Sequence, residues 1–90
     1  MRVRFFAYLR DYTNCPETDV QDAPTVGDLA RILGERYGAK FKNELITPSG
    51  EPGSEIVIMV NGRHVVHLGG LDAQLKDSDV VQIFPLVAGG

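Results

Sequence analysis

The chain has 90 residues, of which 43% are apolar, and a formal net charge of -3. This length predicts one domain with a single core, able to bury roughly 60–70% of the unfolded surface. The mild acidity and the absence of a basic stripe argue against a nucleic-acid partner. Cys15 is the only cysteine, which excludes an intramolecular disulfide and a thiolate-built zinc or iron–sulfur site. With no signal-peptide pattern and no apolar run near roughly 18 residues, we expect a cytoplasmic protein with no membrane partner.

The first predicted element is a strand over residues 2–10. Its core-facing parity is wholly apolar and consists of Val3, Phe5, Ala7 and Leu9. The other parity is mixed and is predicted to face outward; it consists of Arg2, Arg4, Phe6, Tyr8 and Arg10. Because side chains alternate between the two faces of a strand, this pattern predicts a half-buried strand. Residues 11–16 are typical of a turn, and residues 18–21 could return as a short second strand.

A helix is predicted after Thr25, a good N-cap residue with Asp28 three positions later. Its apolar face follows helical spacing and consists of Val26, Leu29, Ala30, Leu33 and Tyr37. Gly38 is predicted to end the helix in a left-handed conformation. Beyond it the pattern is weak. Phe41 and Leu45 could anchor a short turn of helix, and residues 47–54 have the composition of a loop.

The second half of the chain is dominated by strand patterns. Residues 56–60 predict a strand, Asn61-Gly62 is a preferred two-residue hairpin turn, and residues 63–66 return as the next strand. The last strand is predicted at residues 80–84. The first and last strands are the most apolar, so we expect them side by side and parallel at the centre of the sheet. The prediction is an α+β fold, the β-grasp (ubiquitin-like) layout with a mixed sheet packed on one main helix. Residues 1–85 form this domain and residues 86–90 an extended tail.

The tail is predicted from Pro85, which lacks a backbone donor, so strand pairing should stop near Phe84. After it the side chains become small and the chain ends in Gly89-Gly90. An unhindered carboxylate at Gly90 can become an acyl adenylate, which a sulfur nucleophile can attack. Residues without a Cβ let an enzyme and its nucleotide approach the carbonyl closely.

A partner surface is predicted beside the tail. Phe6 and Tyr8 belong to the outward parity of the first strand, and Phe84 to that of the last. Exposed aromatic side chains are typical anchors of interfaces. We therefore predict contacts with a partner through Phe6, Tyr8 and Phe84, with Arg4 and Arg10 at their border.

Several stretches together resemble the MoaD/ThiS family of sulfur carriers. They are Arg-Phe-Phe-Ala at residues 4–7, Thr-Val-Gly-Asp-Leu at 25–29, Leu-Lys-Asp-Ser-Asp-Val-Val at 75–81 and Phe-Pro-Leu-Val-Ala-Gly-Gly at 84–90. The Phe-Pro pair looks more like MoaD, the small subunit of molybdopterin synthase, than like the thiamine carrier ThiS.

The resemblance implies a carrier that is a substrate and not itself an enzyme. A ubiquitin-activating-type adenylyltransferase (MoeB/ThiF-like) would adenylate Gly90, consuming ATP on the partner while the chain itself binds no cofactor. The resulting thiocarboxylate would enter a MoaE-like large subunit of molybdopterin synthase and donate sulfur to the molybdopterin precursor. The tail residues recognised on the way would be Pro85, Leu86, Val87, Ala88 and Gly89.

Three alternatives remain open. The chain could be a ubiquitin-like modifier conjugated through Gly90, a sulfur carrier for thiamine or another pathway, or a β-grasp interaction module with an idle tail. The other candidate groups are interpreted as residues without a functional role. Cys15 is interpreted as an incidental thiol because the neighbouring sequence has no His or Lys that would activate it. His64 and His67 are interpreted as surface residues that form no metal site, and Asp72, Asp77 and Asp79 as turn residues.

Overall fold

The computed structural model describes residues 1–86. They form a five-stranded sheet with three helices and two 3-10 turns. The strands are β1 (Arg2–Phe5), β2 (Glu17–Asp19), β3 (Ile56–Val60), β4 (Arg63–His64) and β5 (Val80–Pro85). The helices are α1 (Leu9–Thr13), α2 (Val26–Tyr37) and α3 (Ala39–Leu45), and the 3-10 turns are Val65–His67 and Gly70–Asp72.

The sheet has the strand order β2-β1-β5-β3-β4. The first and last strands lie side by side and run parallel, with Val3 opposite Val81 and Phe5 opposite Ile83. The other neighbouring strands are antiparallel. This mixed sheet confirms the predicted α+β, β-grasp architecture and the central position of the terminal strands. A parallel pair needs a long crossover connection, and here the chain between β1 and β5 supplies it.

The core lies between one face of the sheet and the helices. Its most deeply buried large side chains are Phe5, Phe41, Leu9, Leu29, Leu33, Leu45 and Ile83. Helix α2 begins as predicted, because the Thr25 hydroxyl accepts a hydrogen bond from the Asp28 N–H at 3.2 Å. No helix within residues 1–86 combines the length and apolarity that crossing a membrane requires.

The first strand is shorter than predicted. It ends at Phe5, and the chain turns through Ala7, which is exposed and has a φ of 53°, into α1 at Leu9. The predicted core position of Ala7 is therefore wrong, although Leu9 is buried. Leu9 reaches the core from α1 and not from the strand. The apolar alternation of the sequence therefore extends past the end of β1.

Smaller differences occur at other element ends. The second strand is at residues 17–19 instead of 18–21, and β4 gives way to a 3-10 turn after His64. Gly38 has the predicted positive φ, 110°, but its ψ of 166° is extended and not left-handed helical. It leads directly into α3, a seven-residue helix where only a short turn was expected. The burial of Phe41 and Leu45 stabilises α3 despite its weak local pattern.

Candidate functional site: the open face and the end of the sheet

Strand β5 leads toward the predicted tail, and its pairing with β3 extends further than the sequence suggested. Pro85 lies opposite Ile56, and the Leu86 N–H donates to the Glu55 carbonyl at 2.7 Å. The prediction that pairing stops near Phe84 is therefore wrong. Because alternate residues of a strand point their N–H groups to the same side, the Leu86 N–H faces β3 and the nitrogen of Pro85 faces away from it. Strand β1 has already ended on that side, so Pro85 removes no donor that the sheet needs.

The remaining predicted tail residues are Val87, Ala88, Gly89 and Gly90. They lie outside the described residues, and the predicted adenylation site is among them. Within the described chain, Pro85 is half-buried, whereas Leu86 is 55% exposed at the end of the ladder. The described part of the site is therefore the end of β5 and the surface beside it.

Two of the predicted interface aromatics are in direct contact. The rings of Phe6 and Phe84 stack with centroids 4.3 Å apart and planes 14° from parallel. The Phe6 N–H donates to the Ile83 carbonyl at 3.2 Å, which holds Phe6 against β5 after β1 has ended. Arg10 lies over Phe6, with its Cζ 5.8 Å from the ring centroid, and its Nε donates to the Phe5 carbonyl at 2.8 Å. Phe6 is thus held by its backbone hydrogen bond, by the Phe84 ring and by Arg10, so little ordering would be needed for a partner to use it.

The stacked pair belongs to a larger surface on the side of the sheet away from the core. Strand register places Val57 opposite Phe84, Met59 opposite Gln82, and Arg4 opposite Gln82 on the other side. We call this surface the open face, formed by Arg4, Phe6, Val57, Met59, Gln82 and Phe84. Apart from the exposed Arg4, these side chains are half-buried. A sheet face that carries several apolar side chains is typical of an interaction surface.

The sequence interpretation missed Val57 and Met59. The signal was nevertheless present, because Ile56, Ile58 and Val60 take the core side of β3 and the two residues between them must point the opposite way. A strand that is apolar on both parities indicates that both of its faces are covered or available for a partner.

Tyr8 was predicted to lie beside Phe6 on a continuous strand, and that strand ends before it. The structure places Tyr8 near Glu44 and Glu55, with 43% of its surface exposed. Partial burial and the charges of these two carboxylates raise the pKa of the Tyr8 phenol. The Tyr12 hydroxyl donates to Glu44 at 3.2 Å. Tyr8 thus belongs to an acidic surface at the end of the sheet, whereas Arg4 lies on the open face as predicted.

The other groups considered from the sequence are dispersed. The Cys15 sulfur lies 3.6 Å from the Tyr37 hydroxyl, on the helix side of the sheet. The rings of His64 and His67 have centroids 6.0 Å apart. Within residues 1–86 no three side chains of His, Cys, Asp or Glu are grouped so that they could hold a metal ion.

The comparison with known families covers both the described residues and the tail sequence. The model of the ThiS family matches residues 3–90, nearly the whole chain including the Gly-Gly ending. The chain belongs to the ThiS family. The family comprises small ubiquitin-like sulfur carriers and modifiers, which confirms the resemblance drawn from the motifs.

Relatives of this ThiS-family chain carry different names. It is 39% identical to small archaeal modifier protein 3 of Haloferax volcanii, over 100% of this chain and 98% of the relative. A chain of the Amycolatopsis orientalis BexX/CysO complex superimposes with a TM-score of 0.87, at 30% identity over 99% of this chain and 98% of that one. A Pyrococcus furiosus structure described as a candidate molybdopterin converting factor, subunit 1, has a TM-score of 0.70, at 32% identity over 96% and 95% of the two chains.

Proposed function

We propose that this ThiS-family chain carries sulfur on the C-terminal carbonyl of Gly90. A carboxylate oxygen of Gly90 attacks the α-phosphorus of ATP on a partner adenylyltransferase, and pyrophosphate leaves. A sulfide-level nucleophile then attacks the acyl carbon, AMP leaves with the bonding electron pair, and a thiocarboxylate remains. The chain binds no cofactor of its own and supplies no catalytic group, since every step occurs in the partner.

The observation that carries the proposal is the continuity between β5 and the tail. The described chain stays paired as far as Leu86, whose N–H donates to the Glu55 carbonyl, and Gly89 and Gly90 follow three and four residues later in the sequence. The family match includes this ending. A long extended approach followed by residues without a Cβ suits an acyl group that must enter a narrow nucleotide site.

The open face supports a second contact with the same partner. Ordering a tail residue costs roughly 1–2 kcal/mol, so ordering the four residues after Leu86 costs on the order of 4–8 kcal/mol. The partner must offset this cost elsewhere. The stacked Phe6 and Phe84 rings, with Val57 and Met59 beside them, provide aromatic and aliphatic anchors of the kind that dominate interface energetics. Tyr8 would contact the partner from the adjoining acidic surface.

We infer that the sulfur is destined for molybdopterin. The motif resemblance to MoaD and the relative described as a candidate molybdopterin converting factor support this pathway. The activating partner would then be MoeB/ThiF-like, and the acceptor would be a MoaE-like large subunit of molybdopterin synthase. Co-purification of such a large subunit with the tagged chain would support this assignment, whereas recovery of a thiamine or other biosynthetic enzyme in its place would contradict it.

A second candidate function is protein modification. It is favoured by the relative named as a modifier, which is 39% identical over the full length of this chain. Conjugation would use the same acyl adenylate, with a lysine amine in place of sulfide as the nucleophile. The distinguishing result is an isopeptide bond between Gly90 and lysines of other proteins, found by mass spectrometry after purification through an N-terminal tag.

The central experiment is intact-mass measurement after incubation with the activating enzyme, ATP and a sulfide source. Sulfur carriage predicts that one oxygen is exchanged for sulfur. Deletion of Gly90, or Gly90→Val, should abolish the exchange and leave the unfolding transition unchanged. Phe84→Ala should raise the KM for the activating enzyme, whereas Arg31→Ala on the exposed side of α2 should leave it unchanged. An unchanged mass with the organism's activating enzymes would refute the proposal.

A further inference from the structure

The backbone hydrogen bond between Leu86 and Glu55 is the point at which the described chain is last held by the sheet. We propose that this bond acts as a positioning clamp. It fixes the point and the direction from which the acyl tail leaves the globule. This inference rests on the proposed function, because it concerns how the tail is delivered to the activating partner.

The acceptor side of the clamp is itself held in place. Residues 46–55 fold back on α3, where the Gly53 N–H donates to the Leu45 carbonyl at 2.8 Å. A Cβ added at Gly53 would lie 1.8 Å from the Glu44 carbonyl oxygen, so the two backbones are in close contact. Ile46 and Pro52 form a bridge that closes the loop. The Glu55 carbonyl, at the end of this packed loop, therefore lies at a defined place beside β5. In this way the loop helps to hold the tail.

The clamp reduces what the partner must order. Because the sheet already holds Leu86, the partner does not have to order this residue. Covalent geometry limits the span of the four residues beyond it to about 14 Å. The nucleotide site of the activating enzyme must therefore lie within about that distance of the end of β5 when the open face is docked. Leu86 and the Glu55 carbonyl act here as positioning groups that never touch ATP.

The first test separates the Leu86 N–H from its side chain. Leu86→Pro and Leu86→Ala both remove the isobutyl group, but only alanine keeps the donor. The assay is adenylation of the full chain by the organism's own ubiquitin-activating-type enzyme, measured as pyrophosphate release. Because one more residue must be ordered, Leu86→Pro should have a KM roughly five-fold above that of Leu86→Ala with a similar kcat. We expect an effect at the low end of the entropy cost of ordering one residue, because proline itself restricts the backbone of the unordered chain.

The second test observes the clamp without the enzyme. Hydrogen exchange of the Leu86 amide should be slow in the wild type and roughly ten-fold or more faster in Gly53→Ala, whose added methyl group displaces the loop. Ser54→Ala, an exposed neighbour, should retain the protection. Equal KM values for Leu86→Pro and Leu86→Ala, or an unprotected Leu86 amide in the wild type, would overturn the clamp while sulfur transfer to Gly90 persists. If the wild-type chain is never adenylated, the proposed function fails, and the positioning role fails with it.

Discussion

The turn that precedes β5 depends on a buried carboxylate, and its removal is the sharpest test of the packing described here. One oxygen of Asp79 accepts from the Asn61 side-chain amide and the other from the Lys76 N–H, each at 2.8 Å. In Asp79→Asn the new NH₂ group must face one of these two donors. Losing one charge-assisted hydrogen bond and leaving a buried donor unpaired costs about 2–4 kcal/mol. With a urea m-value of about 1.5 kcal/mol/M, the midpoint should fall by about 1–3 M.

The matched control is Asp77→Asn, which makes the same change at an exposed position of the same turn. It should alter stability by less than about 0.5 kcal/mol. Both variants are compared with the wild type by urea unfolding monitored by circular dichroism. If the Asp79 and Asp77 variants unfold at the same midpoint, the hydrogen bonds of Asp79 do not stabilise the fold and the reasoning is wrong.

The same variant has a defined pH dependence. The Lys76 N–H, assisted by the Asn61 amide, holds the pKa of Asp79 below its ordinary value of 3.8, although burial acts in the opposite direction. The stabilisation is therefore complete above the unfolded-state pKa and is lost as pH falls through the lower folded-state pKa. The difference in stability between the wild type and Asp79→Asn should shrink when the comparison is moved from about pH 6 to about pH 2.

Three further changes test the fold around the site by the same denaturation assay. Ala7→Gly should stabilise the protein by about 0.5–1 kcal/mol, because an L-residue at a φ of 53° pays a steric cost that glycine avoids; Ala39→Gly, at the start of α3, should have no such benefit. Gly53→Ala should destabilise by about 1–3 kcal/mol, since the Glu44 carbonyl lies where the methyl group must go. Phe41→Ala should cost about 3–5 kcal/mol because the ring is fully buried. A neutral result for Ala7→Gly would contradict the steric cost assigned to its backbone, and a neutral result for Gly53→Ala or Phe41→Ala would contradict the packing assigned to that residue.

Local patterns were sufficient wherever a residue's environment follows from its near neighbours in the chain. The cap at Thr25 and the apolar face of α2 are both present in the structure. So is the Asn61-Gly62 turn, whose residues both have positive φ. The apolar content of the first and last strands was enough to place them together at the centre of the sheet. The family was likewise recognisable from short motifs, among them the Phe-Pro-Leu-Val-Ala-Gly-Gly ending, whereas the acyl chemistry at Gly90 stays a prediction.

Tertiary structure decided where the elements stop and which surfaces they share. The alternation through Leu9 could not show that the strand ends at Phe5, because a helical turn can deliver the same side chain to the same core. Helix α3 depends on buried contacts of Phe41 that no local pattern contains. The Phe6–Phe84 stack and the Leu86–Glu55 hydrogen bond each join residues more than 25 positions apart. The sequence could therefore predict Gly90 as the reactive residue, whereas long-range pairing alone determined how the sheet holds the chain as far as Leu86.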